Sequence, residues 1–286
     1  MGRLTPYLFL LPALILLSIF SFYPLIQTVY ISFFDFQRSI TDVVNLQGDF
    51  VAFENYQKLF SATRFFNPGL SLLEGPPFGA LIHNIIWVVI MVPLTMVLGL
   101  TLAILLRRMR EGYIIRSMIF LGMVTPLIVG GLMLLFIYHK DAGVGNALLR
   151  LVGLGFLARS WTIFPDTALY ALILGSVWIW TGFPMIIYSA GLEGIPDELH
   201  EAARIDGASG FQVVRYVTIP MLRPATITSL ILTTLTAFKI LDIVVAVRGF
   251  AGGPGDSTQV LALLMYAEGF QNFNYGGSAA ISVFLT

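Results

Sequence analysis

The chain has 286 residues, of which 57% are hydrophobic and 11% charged, and its formal net charge is zero. Soluble domains carry about 25% charged residues, so this shortfall excludes a water-facing surface over most of the chain and sets the class as integral membrane protein. The charge balance argues against nucleic acid as a partner, and the absence of Cys excludes disulfides, thiolate chemistry and Cys metal sites.

A helix needs about 20 mostly apolar residues to cross the hydrocarbon core. The first stretch that qualifies is 6–32, just after Arg3. Its start fits a signal peptide, but the apolar run continues past Pro24 and no small-residue cleavage site follows, so a retained helix is expected. An outer loop, about 36–78, carries the breakers Asn67-Pro68-Gly69 and Gly75-Pro76-Pro77. The second span, 80–106, has no formal charge, and a short connection with Arg107, Arg108, Arg110 and Arg116 leads to the third, 117–138. A loop over 139–166 contains Gly143-Val144-Gly145-Asn146. The fourth span, 167–192, is again without formal charge. After the charged segment 193–224 comes a fifth span, 225–247, which holds Lys239 and Asp242. A loop over 248–275 carries Gly252-Gly253-Pro254-Gly255, and a sixth span opens at Gly276 and is read as cut short within 276–286. No internal repeat is evident and no loop is patterned as a separate domain. The expectation is a single all-α membrane domain over 1–286.

Lys and Arg in short connections set orientation. Arg3, Arg107, Arg108, Arg110, Arg116, Arg204, Arg215 and Arg223 fall on one side, which places the N-terminus in the cytoplasm. Arg38, Lys58, Arg64, Lys140, Arg150, Arg159 and Arg248 are spread over the three long loops opposite.

Segment 193–224 is a charged island in this apolar chain, and reads as two short helices about a turn. Pro196 suits a first helical turn, with Asp197 and Glu198 complementing the N-terminus. Leu199, Ala202 and Ala203 make one small apolar face. Gly207 suits a left-handed stop, and Ser209 can cap a second helix whose apolar side is Phe211, Val214 and Val217. Two readings stay open: a docking surface for a soluble partner, or an amphipathic helix on the membrane surface. Surface helices favour Lys and Arg, and this one is acidic, which favours docking.

The order Glu201-Ala202-Ala203, then Asp206-Gly207, then Val217-Thr218-Ile219-Pro220, resembles the EAA loop of ATP-binding-cassette importer permeases. Leu8-Phe9-Leu10-Leu11-Pro12, Tyr23-Pro24, Asn55-Tyr56, Gly145-Asn146, Gly182-Phe183-Pro184, Phe238-Lys239-Ile240-Leu241-Asp242 and Gly252-Gly253-Pro254 are similar to elements of the MalF-type carbohydrate permeases. The resemblance implies a six-helix permease of the inner membrane with no catalysis of its own. In it Glu201, Ala202, Ala203, Asp206 and Gly207 form the coupling helix against an ATPase. The implied partners are a second homologous permease, two ATPase subunits that hold the ATP and magnesium, an external solute-binding protein and a sugar-like solute. Val217, Ile219 and Phe211 stand where the family usually has Ile, Leu and Trp.

Ionisable residues inside a span are costly and are functional candidates. Lys239 and Asp242 are three apart and can meet on one helix face, either in the solute path or as a structural ion pair near the outer interface. Thr233, Thr236 and Lys239 recur every third residue, although a Thr in a span often only bonds its own helix. Alignment to the sugar sites of maltose-type permeases adds Leu232, Leu235, Gly182 and Met185, with Trp178 and Trp180 close by. Leu at two of these positions suggests that the partner permease holds more of the sugar. The candidate path is therefore Trp178, Trp180, Gly182, Met185, Thr233, Thr236, Lys239 and Asp242.

His83, His139 and His200 lie in separate elements, so the partial likeness of His200-Glu201-Ala202-Ala203-Arg204 to a zinc motif predicts no metal site. None of the Lys residues follows Gly as in a phosphate loop, so ATP is expected on a partner. An intramembrane enzyme, a passive channel and a permease for another solute such as glycerol phosphate are the alternatives.

Overall fold

The computed structural model describes residues 5–36, 39–69, 75–107, 109 and 111–286. Arg3, Arg38, Arg108 and Arg110, used above for orientation, lie outside the described residues. The protein is a helical bundle with, among the described residues, one two-residue antiparallel pair, Phe34–Asp35 with Asp49–Phe50.

Helix α1, Tyr7–Ile31, has none of its most apolar window buried, and a π turn at Ser18–Phe22 precedes Pro24, whose ring cannot enter a regular α ladder. Helix α2, Ala80–Arg107, is the second span and the spine of the bundle. Helices α3, Gly112–Val124, and α4, Leu127–Ile137, occupy the third predicted span. They are bent by 105° and do not form the single straight helix expected over 117–138. Pro126 is the reason. Proline pushes the residue before it out of the α region, and Thr125 is extended with ψ 130°.

Helix α5, Pro165–Glu193, is the fourth span, and packs closely on α2. Gly99 makes this approach possible: a Cβ there would stand 2.8 Å from the Met185 backbone nitrogen. Helix α6, Asp197–Ile205, and the four-residue α7, Gly210–Val213, form the island, and a π turn at Val214–Thr218 follows.

The fifth span is interrupted. Helix α8, Arg223–Phe238, stops, and α9, Asp242–Arg248, starts after a three-residue break. Within the expected loop 248–275 lies a short buried helix, α10, Leu261–Tyr266. Leu261 and Leu263 are fully buried, so this part of the loop is core and not a surface connection. Helix α11, Tyr275–Leu285, packs against α10 and against the end of α1.

Three apolar clusters hold the bundle. The central one joins α2, α4, α5, α9 and α10 through residues such as Trp87, Leu134, Ile173 and Ile243. An outer one contains Phe65, Leu261 and Ile281. An inner one, at the end of α2 nearest the charged island, contains Ala103, Leu106, Met185, Tyr188, Leu192, Ile195 and Leu222.

Candidate functional site

The charged island is a knuckle with well-defined ends. Asp197 and Glu198 lie in the first turn of α6 and Arg204 in its last, which matches the helix dipole. Gly207 has φ +80°, and its N–H donates to Arg204 O at 3.0 Å while Ala208 N–H donates to Ala203 O at 2.9 Å. That pair of bonds is a Schellman stop, and the left-handed residue it needs favours glycine. Ser209 then begins α7 with a capping box, Ser209 N–H to Gln212 Oε1 at 2.7 Å and Gln212 N–H to Ser209 Oγ at 3.4 Å. The expected turn is present. The expected apolar side is present in part: Val214 and Val217 are half-buried, but Phe211 is exposed and Val213 and Thr218 are the buried residues.

Glu201, Ala202, Asp206 and Gly207 are exposed, and Ala203 is half-buried. Glu201 and Arg204 line a cleft of about 320 Å³ with Arg107, Asp197, His200 and Thr218. Arg107 donates to Asp197 Oδ1 at 2.9 Å, and His200 Nε2 lies 3.3 Å from Thr218 Oγ1. The end of α2 is thus joined to the first turn of the knuckle.

A second cleft, of about 260 Å³, opens where the bent third span meets the interrupted fifth. Leu127, at the start of α4, faces Leu235, Thr236, Lys239, Ile240 and Asp242 across it. Lys239 and Asp242 are both exposed here, and no ion pair joins them. The expected meeting on one helix face fails because α8 ends at Phe238 and Asp242 begins a new helix. Asp242 instead sits in the first turn of α9, where the dipole favours a carboxylate.

The other predicted path residues separate. A step of three residues turns a helix by about 300°, so Thr233, Thr236 and Lys239 drift around α8 and do not form a straight stripe. Thr233 is buried beside Ser229 and Ala237 on the small-residue face of α8. Thr236 donates to Leu232 O at 3.0 Å within its own helix and also lines the cleft. Gly182 is buried against α3, and Met185 is fully buried in the inner cluster. Trp178 is 53% exposed, and Trp180 is half-buried at the edge of the central cluster. Only Thr236, Lys239 and Asp242 of the set come together.

The family model described as "binding-protein-dependent transport system inner membrane component" matches residues 95–286, which include both clefts. The chain belongs to this family. It is a transport subunit and not an enzyme, and a multi-pass protein of the inner membrane. A probable ABC transporter permease of Pyrococcus horikoshii is 46% identical over 99% of this chain and 94% of its own length. The trehalose/maltose transport system permease MalF of Thermococcus litoralis is 30% identical over 97% and 87%, and the sulfoquinovosyl glycerol transport system permease of Agrobacterium fabrum is 32% identical over 99% and 86%. A bacterial alginate ABC transporter, solved with its pentasaccharide-bound periplasmic protein, shares the fold with a TM-score of 0.68 at 19% identity, covering 98% of this permease and 88% of that chain.

Sequence reasoning missed the buried polar residues at the end of the bundle away from the knuckle. Asn55 donates to Ser32 O at 2.9 Å and Phe34 O at 3.0 Å. Asn146 donates to His139 O at 3.0 Å and Arg159 O at 2.9 Å, and accepts from Trp161 Nε1 at 2.9 Å. Both positions were visible only as fragments of a family pattern. Asn84, on α2, is open in the sequence between lining a cavity and bonding another helix, and here it bonds the backbone at Phe238 and Leu261.

Proposed function

We propose that this permease is one of two homologous membrane halves of an ATP-driven, binding-protein-dependent importer for a sugar or sugar-like solute. In this reading two ATPase subunits hold the ATP and magnesium, an external binding protein delivers the solute, and the N-terminus is cytoplasmic. The observation that carries the reading is the knuckle: a capped helix that projects Glu201, Ala202 and Asp206 outward beneath the inner cluster. Glu201, Ala202, Ala203, Asp206 and Gly207 form its contact with an ATPase. Thr236, Lys239 and Asp242 form this subunit's part of the solute path, with Trp178 at its edge. Relatives named for trehalose/maltose, lactose, α-glucosides and sulfoquinovosyl glycerol support the carbohydrate class.

Two measurements test this. The assembled complex in proteoliposomes is given binding protein loaded in turn with maltose, trehalose, lactose and sulfoquinovosyl glycerol, and ATP hydrolysis is followed. Stimulation by at least one of them is expected, and Lys239→Met is expected to weaken it. Uptake that proceeds without ATP would overturn the reading.

A further inference from the structure

Asn84 and His83 are fully buried near the start of α2, and between them they hold backbone groups of three other segments. Asn84 Nδ2 donates to Phe238 O at 2.5 Å, and Asn84 Oδ1 accepts from Leu261 N–H at 2.8 Å. His83 Nε2 accepts from Phe78 N–H at 3.0 Å, so its Nδ1 carries the hydrogen that bonds Gln259 O at 2.7 Å.

The two groups held by Asn84 are both orphans of a helix end. In an unbroken fifth span Phe238 O would accept from Asp242 N–H, and the break removes that donor. Leu261 N–H opens α10, and Val260 before it supplies no side-chain cap. A buried carbonyl or amide without a partner is expensive. Asn84 satisfies both from a third helix. Phe238 directly precedes Lys239, so the break supported by Asn84 is also a wall of the membrane cleft.

We propose that Asn84 is a positioning residue of the transport cycle, which fixes the break at 239–241 and links it to the start of α10. The cleft residues beside the break and the outer helix then keep one relation as the bundle changes state. The proposal rests on reading that cleft as part of the solute path.

The chain has no Cys, so a single thiol can be placed at will in this subunit. Leu235→Cys puts it in the cleft, and Val144→Cys, on the exposed start of the outer helix Val144–Leu151, serves as a control. The probe is a charged maleimide, applied to the whole complex in membranes, nucleotide-free and then trapped with ATP and vanadate. Losing hydrogen bonds at a buried site shifts a local opening equilibrium by about tenfold. Asn84→Ala is therefore expected to raise labelling of Leu235→Cys by about tenfold. It is also expected to shrink the difference between the two nucleotide states, while Val144→Cys is unchanged. Asn84→Asp keeps the acceptor for Leu261 but loses the donor for Phe238, and is expected to follow Asn84→Ala. It carries the comparison if the alanine variant fails to assemble. Equal labelling with and without Asn84, or a rise shared by both thiols, overturns the proposal. Whether the attached label stops uptake tests the path reading separately. A label that leaves uptake intact removes the cleft from the path without touching the role of Asn84 at the break.

Discussion

The two ends of this permease use polar residues in opposite ways. At the end that carries the knuckle Glu201 and Asp206 look outward, Arg107–Asp197 joins α2 to the knuckle, and Arg116–Glu193 joins α3 to the end of α5. At the opposite end Asn55, Asn84 and Asn146 are buried, and each bonds backbone groups outside its own helix. Exposed charge is available to another molecule. Buried amides are spent on the chain itself, where helices stop and the backbone would otherwise lack partners. The difference teaches that an apolar membrane chain keeps polar residues for two distinct purposes, partner contact and repair of its own breaks.

Substitutions at the two ends should therefore separate assembly from stability. The largest effect is expected from Glu201→Lys. A like charge forced into a complementary interface costs several kcal/mol, so ATPase association should fall by more than about 30-fold while the melting midpoint stays put. Co-purification and thermal unfolding read the two quantities. An unaltered, transporting complex would remove the distinction at the knuckle.

At the outer end, Asn146→Ala strips partners from two carbonyls and from the Trp161 indole. A loss of about 2–4 kcal/mol of stability is expected, seen as a lower melting midpoint in detergent. An unchanged midpoint would show that the buried amides are not structural. Between the ends, Gly99→Val forces carbon atoms against Met185 backbone and should cost about 1–3 kcal/mol through the α2–α5 contact. Gly207→Ala meets no neighbour and suffers only the left-handed backbone, so about 1 kcal/mol is expected, read as fraying of α6 by hydrogen exchange. Arg107→Ala should be the mildest. Its partner Asp197 is well exposed, and such pairs are worth about 0–1 kcal/mol. A large destabilisation there would blur the contrast between the two ends.

How much of this was legible follows from the same contrast. The knuckle stood out because charge is conspicuous in an apolar chain, and Pro196, Gly207 and Ser209 punctuate it by local rules. The spans were legible from length and apolarity. The bend at Thr125 was readable in principle, since Pro126 sits in the middle of the third span, but hydropathy alone ran straight through it. The break at 239–241 carries no Pro or Gly. Its support is an amide 154 residues away, which no local pattern reveals. Helix α10 was hidden because it is too short to span and lies among glycine-rich turns.

The inner cluster gathers side chains from α2 and α5, together with Ile195 and Leu222, which flank the knuckle in the chain. A close-packed apolar interior compresses very little. A push that reaches Ile195 or Leu222 is therefore not absorbed as local give. The knuckle hangs from that block by both of its ends, Ile195 before it and Leu222 after it.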